Sequence, residues 1–331
     1  MPSSRREFLI VLTGAPLALV SSCTVSRGWQ SPAAKSKPSP AIEQADYVLL
    51  EGKTLIAQVT FPSAVKDLTG SLPVRIEPES FGGEQLTEPQ LLFFYPGKDE
   101  RSFRTFLTAP LDVVPGNYTA SLTARHDGRE VRRDLKCAIH RGAYRESTLT
   151  VDKSFSEPTP EMVKRMRNDF ETMVEIYQRR SPRHWSAPFV QPLPGPDKDN
   201  YGDKRIYNRT KHSRHSGLDY RASLGTPVKA INDGVIALSG EQWVSGQTIC
   251  IDHGGGVFSK YLHLSQRKVK EHDLVKRGDV IGLSGHSGSQ KPPPHLHLDL
   301  TVNSVKVDPK DFMRTASQLL ALEAEDRPKQ G

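Results

Sequence analysis

From Tyr47 onward the chain alternates apolar and polar residues in short runs. Thr54-Leu-Ile-Ala-Gln-Val-Thr60, Leu92-Phe-Phe-Tyr95, Ser102-Phe-Arg-Thr-Phe-Leu107 and Asn117-Tyr-Thr-Ala-Ser-Leu-Thr-Ala124 are punctuated by Pro and Gly turns. Period 2 is the side-chain period of a strand, and strands at this spacing predict a β-sandwich over residues 44–150. The period changes at Pro160. Met162, Met166, Phe170, Met173, Val174 and Tyr177 recur every three or four residues, which predicts a helix from Pro160 to about Arg179, capped by Thr159, with the stripe packed as core. Five prolines between Ser181 and Asn200 then predict an extended run. Alternation returns in Ile249-Cys-Ile-Asp-His253, the glycines 254–256 and Tyr261-Leu-His263-Leu264, a hairpin. A short helix, Ala316 to Glu325, ends a chain that is otherwise mostly β.

Two of these segments carry chemistry. In His295-Leu-His-Leu-Asp-Leu300 both histidines and Asp299 share one strand face. In His215-Ser-Gly-Leu-Asp219, Gly217 argues against a helix interior and for an extended segment projecting both ends to one side. Two imidazoles and a carboxylate form a three-ligand set, which leaves zinc a fourth position for water. An isolated H-x-H is common by chance in exposed strands, so the weight lies in the combination. His126, His140, His184, His212, His272 and His286 sit among charged or turn residues and are expected at the surface, while His253 has a hairpin-corner role.

The order of motifs resembles the LytM/lysostaphin-type zinc metalloendopeptidases, which cut peptide cross-links of bacterial peptidoglycan. It runs from Tyr201-Gly202 through His215-Ser-Gly-Leu-Asp219, Gly225-Thr-Pro-Val228, Asp233-Gly-Val235, Ile251-Asp-His-Gly254, Tyr261-Leu-His263, Gly278-Asp-Val-Ile-Gly282 and Pro294-His-Leu-His297 to Val307-Asp-Pro309. The resemblance implies one Zn2+ per chain on His215, Asp219 and His297. It also implies His263 and His295 as unligated catalytic residues, with His295 as general base and His263 as oxyanion stabiliser, an assignment that could be exchanged. Zinc would polarise the scissile carbonyl and lower the pKa of bound water towards ~7. The prolines at 292–294 stand where relatives have Gly before Pro-His-Leu-His, and Asp299 stands where Glu is usual. These departures leave every ligand in place and put the groove rim in question. Asp299 itself has two readings, a partner to a ligand histidine or a solvated carboxylate. The Pro115-Gly-Asn-Tyr118 turn is similar to that of immunoglobulin-like modules. The implied architecture is therefore an N-terminal Ig-like β-sandwich, a helix and proline-rich linker (151–200), a LytM-type antiparallel β-sheet peptidase domain (201–314) and a C-terminal helix and tail (315–331). In latent relatives an upstream segment occupies the open zinc position, so the linker is also a candidate groove cover.

The N-terminus sets the compartment. Ser4-Arg-Arg-Glu-Phe-Leu9 looks like a twin-arginine export motif, and the apolar stretch Phe8–Val20 is too short to span a bilayer. Val20-Ser-Ser-Cys23 resembles a lipobox, which makes residues 1–22 a signal peptide, Cys23 the lipidation site, and residues 23–43, rich in Ser, Pro and Lys, a flexible tether. Removing residues 1–22 takes away Arg5, Arg6 and Glu7, so the net charge of +7 becomes +6. That suits an anionic wall or membrane surface, and without a basic-aromatic motif it does not suggest nucleic acid. Cys137 and Cys250 fall in different domains and are expected as buried thiols. The expectation is an exported, envelope-located, lipid-anchored zinc endopeptidase. Two alternatives are a non-catalytic LytM-like regulator of a cell-wall amidase, acting through a protein partner, and a wall-binding structural lipoprotein.

Overall fold

The computed structural model describes residues 45–76, 87–150, 158–195, 199–209, 211–289 and 293–327. The signal peptide, Cys23 and the tether lie outside these residues. Among the described residues no helix is long and apolar enough to cross a membrane.

The chain is mostly β. Its first part is a two-sheet sandwich. One sheet orders Tyr47–Leu50, Arg129–His140, Gly116–His126, Lys66–Arg75 and Thr87–Leu91, with the first pair parallel and the others antiparallel. The other orders Thr54–Thr60, Ser102–Thr108 and Phe94–Pro96. Leu49, Val59, Leu72, Leu107, Leu122 and Ile139 fill the space between them. Gly116–His126 shows the alternation of the sequence made physical, one face in the core and one turned out, whereas Ser102–Thr108 is buried on both faces because Phe106 packs on the second part.

The second part is built on a sheet ordered Gly217–Arg221, His295–Val302, Val257–Leu264, Gly246–Gly254, Gly234–Gln242 and Leu274–Val275, all antiparallel. Val305–Val307 pairs with the far end of His295–Val302. Gly254, Gly255 and Gly256 all have positive φ, which explains the triple glycine at the predicted hairpin. Leu296, Leu298 and Leu300 point into the main core with Leu218 and Tyr220, which sends His295, His297, Asp299 and Asp219 to the opposite face.

Helix α1 spans Pro160–Tyr177, with Thr159 accepting a hydrogen bond from the Met162 amide. Its stripe is less buried than the period suggests. Only Met173 and Ile176 are buried, against Ala237, Cys250 and Phe258, and Phe170 is 54% exposed. Only the last turns lie over the sheet; the first half reaches past it to the loop at Trp243, where Asp169 accepts the Trp243 amide (2.6 Å) and Arg165 stacks on the indole ring (4.5 Å). Between Ser181 and Leu193 the linker is extended as expected, but it backs the sheet rather than covering its polar face. Trp185, Phe189 and Leu193 are buried in the main core. Helix α2 spans Pro309–Glu325 and so begins well before Ala316, because Asp308 caps it through the amides of Lys310 and Asp311 and Pro309 takes its first position.

The two parts share a core. Tyr95 and Phe106 of the sandwich belong to the same cluster as Trp185, Phe189 and Phe312. The strand Glu146–Leu149 leaves the sandwich and pairs in parallel with Lys204–Tyr207, which pairs in turn with Lys211–Arg214. Cys137 and Cys250 are free and buried, and burial pushes their thiols up to about 11 and about 12.

His253 is fully buried at the hairpin, with Nδ1–H donated to the Asp233 carbonyl (2.7 Å) and Nε2 2.8 Å from the Ser259 hydroxyl. Burial pushes its pKa down to about 4. The unfolded chain therefore binds a proton that the folded chain refuses, and stability falls as the pH drops from about 6.5 towards 4, by about 3 kcal/mol from this group in all. Urea unfolding at pH 7 and pH 4.5 should show a pH dependence steeper by up to one proton in wild type than in His253→Asn; equal slopes would remove His253 as the cause.

Candidate metal centre

Among the described residues, the group offering three potential metal donors within 4.8 Å of one another is His215, Asp219 and His297. The pairing Asp219↔His297 places two of them side by side on neighbouring strands. His215 enters from the turn after Lys211–Arg214, held by backbone bonds from its amide to the Asp203 carbonyl (2.9 Å) and from the Gly202 amide to its own carbonyl (2.7 Å).

The outer bonds of these rings decide which nitrogens face inward. His215 Nδ1–H donates to the Asn200 carbonyl (2.7 Å), so Nε2 carries the lone pair. His297 Nε2–H donates to Asp299 Oδ1 (2.9 Å), so the lone pair lies on Nδ1. His215 Nε2 and His297 Nδ1 are 3.0 Å apart, and Asp219 Oδ1 is 3.0 and 2.8 Å from them. Three acceptors converging this closely need a cation among them. In the metal-free chain a proton serves: burial works against it, but Asp299 and Asp219 together lift His297 to about 9. An N,N,O donor set with one open side also fits Zn2+. The Asp219 carboxyl lies well below its ordinary range because its bonds to the two histidines outweigh its burial.

A second layer of residues orients the donors. Asp219 Oδ2 accepts from Asn200 Nδ2 (2.9 Å) and Arg205 (3.2 Å), which turns Oδ1 inward. Asp299 is 2% exposed and also accepts from Lys306 (2.8 Å) and Ser216 (3.1 Å). Of its two readings in the sequence, the partner to a ligand-type histidine is the observed one. Gly217 leaves room for this bond, since a Cβ there would stand 2.5 Å from His297 Nε2 and 2.8 Å from Asp299 Oδ1. Sequence reasoning missed Asn200, Arg205 and Lys306 altogether; no local spacing links them to the motifs.

His263 and His295 stand beside the trio, their ring centroids 4.9 Å apart and the His263 ring 6.2 Å from that of His297. His263 has φ +62°, an uncommon left-handed conformation for a non-glycine. Its Nδ1–H donates to the Ser287 carbonyl (2.9 Å), and His295 Nδ1–H to the Pro293 carbonyl (2.9 Å), so each ring keeps its lone pair on Nε2. Burial and the neighbouring charge on His297 push His263 down to about 4. His126 and His140 are half-buried, and His184, His212, His272 and His286 are exposed.

Known proteins resemble this part of the chain. The profile of Peptidase family M23 matches residues 213–309. Over 128 residues the chain is 34% identical to the peptidoglycan DD-endopeptidase ShyC of Vibrio cholerae, a match covering 38% of this chain and 29% of the relative. It is 41% identical over 95 residues to the DD-carboxypeptidase/endopeptidase Mpg of Neisseria meningitidis, covering 29% and 22%. It is 40% identical over 108 residues to lysostaphin of Staphylococcus simulans, covering 31% and 22%. The chain thus spans less than a third of each of these relatives. A crystal structure of a protein assigned to peptidase M23 from Pseudomonas aeruginosa superposes with a TM-score of 0.55 at 24% identity, covering 78% of this chain and 93% of that one, a likeness of fold that extends beyond the matched domain. Residues 213–309 are therefore a peptidase family M23 domain of the LytM/lysostaphin type.

Proposed function

We propose that the chain is a zinc-dependent endopeptidase that hydrolyses peptide cross-links of peptidoglycan. His215, Asp219 and His297 would hold the metal, and His263 and His295 would move the protons. The observation that carries this reading is the convergence of three atoms that, with both rings neutral, all turn lone pairs inward and so call for a cation among them. Bound zinc supplies Lewis acidity and an activated water at neutral pH. The acidic donor is held by Asn200 and Arg205, and the His297 ring by Asp299. His295, its side chain 17% exposed at the rim, has solvent to support the cation formed when Nε2 takes a proton, which favours it as general base. His263 can donate to an oxyanion only after Nε2 is protonated, because its Nδ1–H is committed to Ser287. The relative named as a peptidoglycan DD-endopeptidase supports the substrate class. Arg5-Arg6 and the Val20–Cys23 run support export, with Cys23 lipidated at a membrane surface.

Purified full-length chain is expected to release soluble peptides from isolated peptidoglycan, to stop when 1,10-phenanthroline removes the metal, and to resume when Zn2+ is restored. Release measured by mass spectrometry is the readout. A folded, zinc-loaded chain that released nothing would contradict the enzymatic reading.

A further inference from the structure

The sandwich carries a carboxylate in an unusual position. Glu51, in the turn after Tyr47–Leu50, is 0% exposed, and its acceptors are filled from two domains. Oε1 accepts the Asp112 amide (2.7 Å) and the Arg214 guanidinium; Oε2 accepts the Gly142 amide (3.1 Å). Arg214 belongs to the peptidase part and is the residue immediately before His215. Its side chain is 10% exposed, also pairs through Nε with Asp112 (3.1 Å), and stacks on the Tyr144 ring (4.9 Å). Tyr144 returns a hydrogen bond to the Glu51 carbonyl. Arg145, next along the segment leaving the sandwich, grips both oxygens of Asp203 (3.2 and 3.1 Å), whose carbonyl accepts the His215 amide.

We propose that Glu51 is a positioning residue for the metal centre, a buried carboxylate of the sandwich that fixes Arg214 and through it the backbone from which His215 projects. This rests on reading His215 as a metal ligand. Side chains of consecutive residues in an extended segment leave on opposite sides, so anchoring Arg214 on the sandwich sets the direction of the next side chain. A buried guanidinium that donates to Glu51, lies within ion-pair range of Asp112 and stacks on the Tyr144 ring has little rotational freedom, which suits it to this task. The sandwich is thus part of the metal centre rather than a spacer. A pair that served stability alone would alter unfolding but not the zinc affinity of the molecules that remain folded.

The test uses the full-length chain, with zinc affinity measured by competition with a chromophoric chelator and unfolding measured in parallel. Glu51→Gln keeps the shape and an acceptor oxygen but removes the charge facing Arg214, and it is expected to weaken zinc binding about 10-fold or more, the range of outer partners of metal ligands. Lys53→Ala, which cuts the Lys53–Asp308 pair (2.5 Å) at the same domain junction, is expected to lower stability and leave zinc affinity unchanged. If Glu51→Gln does not fold, Arg214→Lys keeps the charge, loses the fork and is expected to show the same weakening. Wild-type zinc affinity in the folded Glu51 or Arg214 variant overturns the proposal. Wild-type affinity in His215→Ala would instead overturn the ligand assignment beneath it.

Discussion

His297→Ala is expected to lose its zinc and all measurable peptidoglycan hydrolysis together, whereas His295→Ala keeps one zinc per chain and loses hydrolysis alone. The two residues are two positions apart on one strand face, so a general disturbance of that strand would affect both variants alike. Their bonds differ. His297 presents Nδ1 to His215 and Asp219, and its removal takes one of three donors; zinc affinity should fall by more than the roughly 100-fold that loss of an outer partner can cause. Asp299 would remain buried but still paired with Lys306, so the variant should fold. The His295 ring donates to the Pro293 carbonyl and lies 3.8 Å from Asp219, beside the trio rather than in it. Losing a general acid or base costs about 10²–10⁴-fold in rate. Metal content by mass spectrometry beside peptide release separates the two effects. A His297→Ala chain with stoichiometric zinc would remove His297 from the ligand set.

Cutting the chain at Tyr201 is expected to leave a peptidase fragment that does not fold cooperatively. The motifs begin there, but the core does not. Phe106 meets Phe312 (centroids 5.2 Å), Phe312 meets Phe189 (5.3 Å), and Phe189 meets Trp185 (5.1 Å). A fragment 201–331 lacks three of these four rings. Deleting one buried aromatic costs about 3–5 kcal/mol, and the loss of three approaches or exceeds the 5–15 kcal/mol that stabilises a typical domain. Fragment 158–331 recovers Trp185 and Phe189 yet still bares the Phe312 face that Phe106 covers, and should be intermediate. Near-UV circular dichroism and urea unfolding of 201–331, 158–331 and 45–331 would show the order. A cooperative transition in 201–331 equal to that of the longest chain would show that the shared core is dispensable.

Much of this molecule was legible in its sequence because the informative signals are local. Alternation gave the strands, the glycine triplet the hairpin, and Thr159-Pro160 the start of α1. His215, Asp219 and His297 were already singled out, as were His263 and His295, through short motifs whose order resembles that of a known family, and the structure brings the first three together. Where local reading went astray, a long-range contact decided. The stripe on α1 has the period of a core helix, but only its last turns meet the sheet. Asp299 could not be told from a solvated carboxylate until Lys306 and His297 were seen against it.

By itself the sequence determined which residues form strands and which faces those strands present, because backbone stereochemistry and side-chain period act between near neighbours; its candidates for the chemistry came from the order of motifs it shares with a known family. Only the tertiary structure decided that donors about eighty residues apart converge, which ring nitrogens face inward, and that a glutamate of the sandwich stands behind the ligand segment. Those outcomes depend on strand pairing and on burial. Once a polar group is removed from water it must find its partner wherever the fold brings one, and no spacing along the chain records where that is.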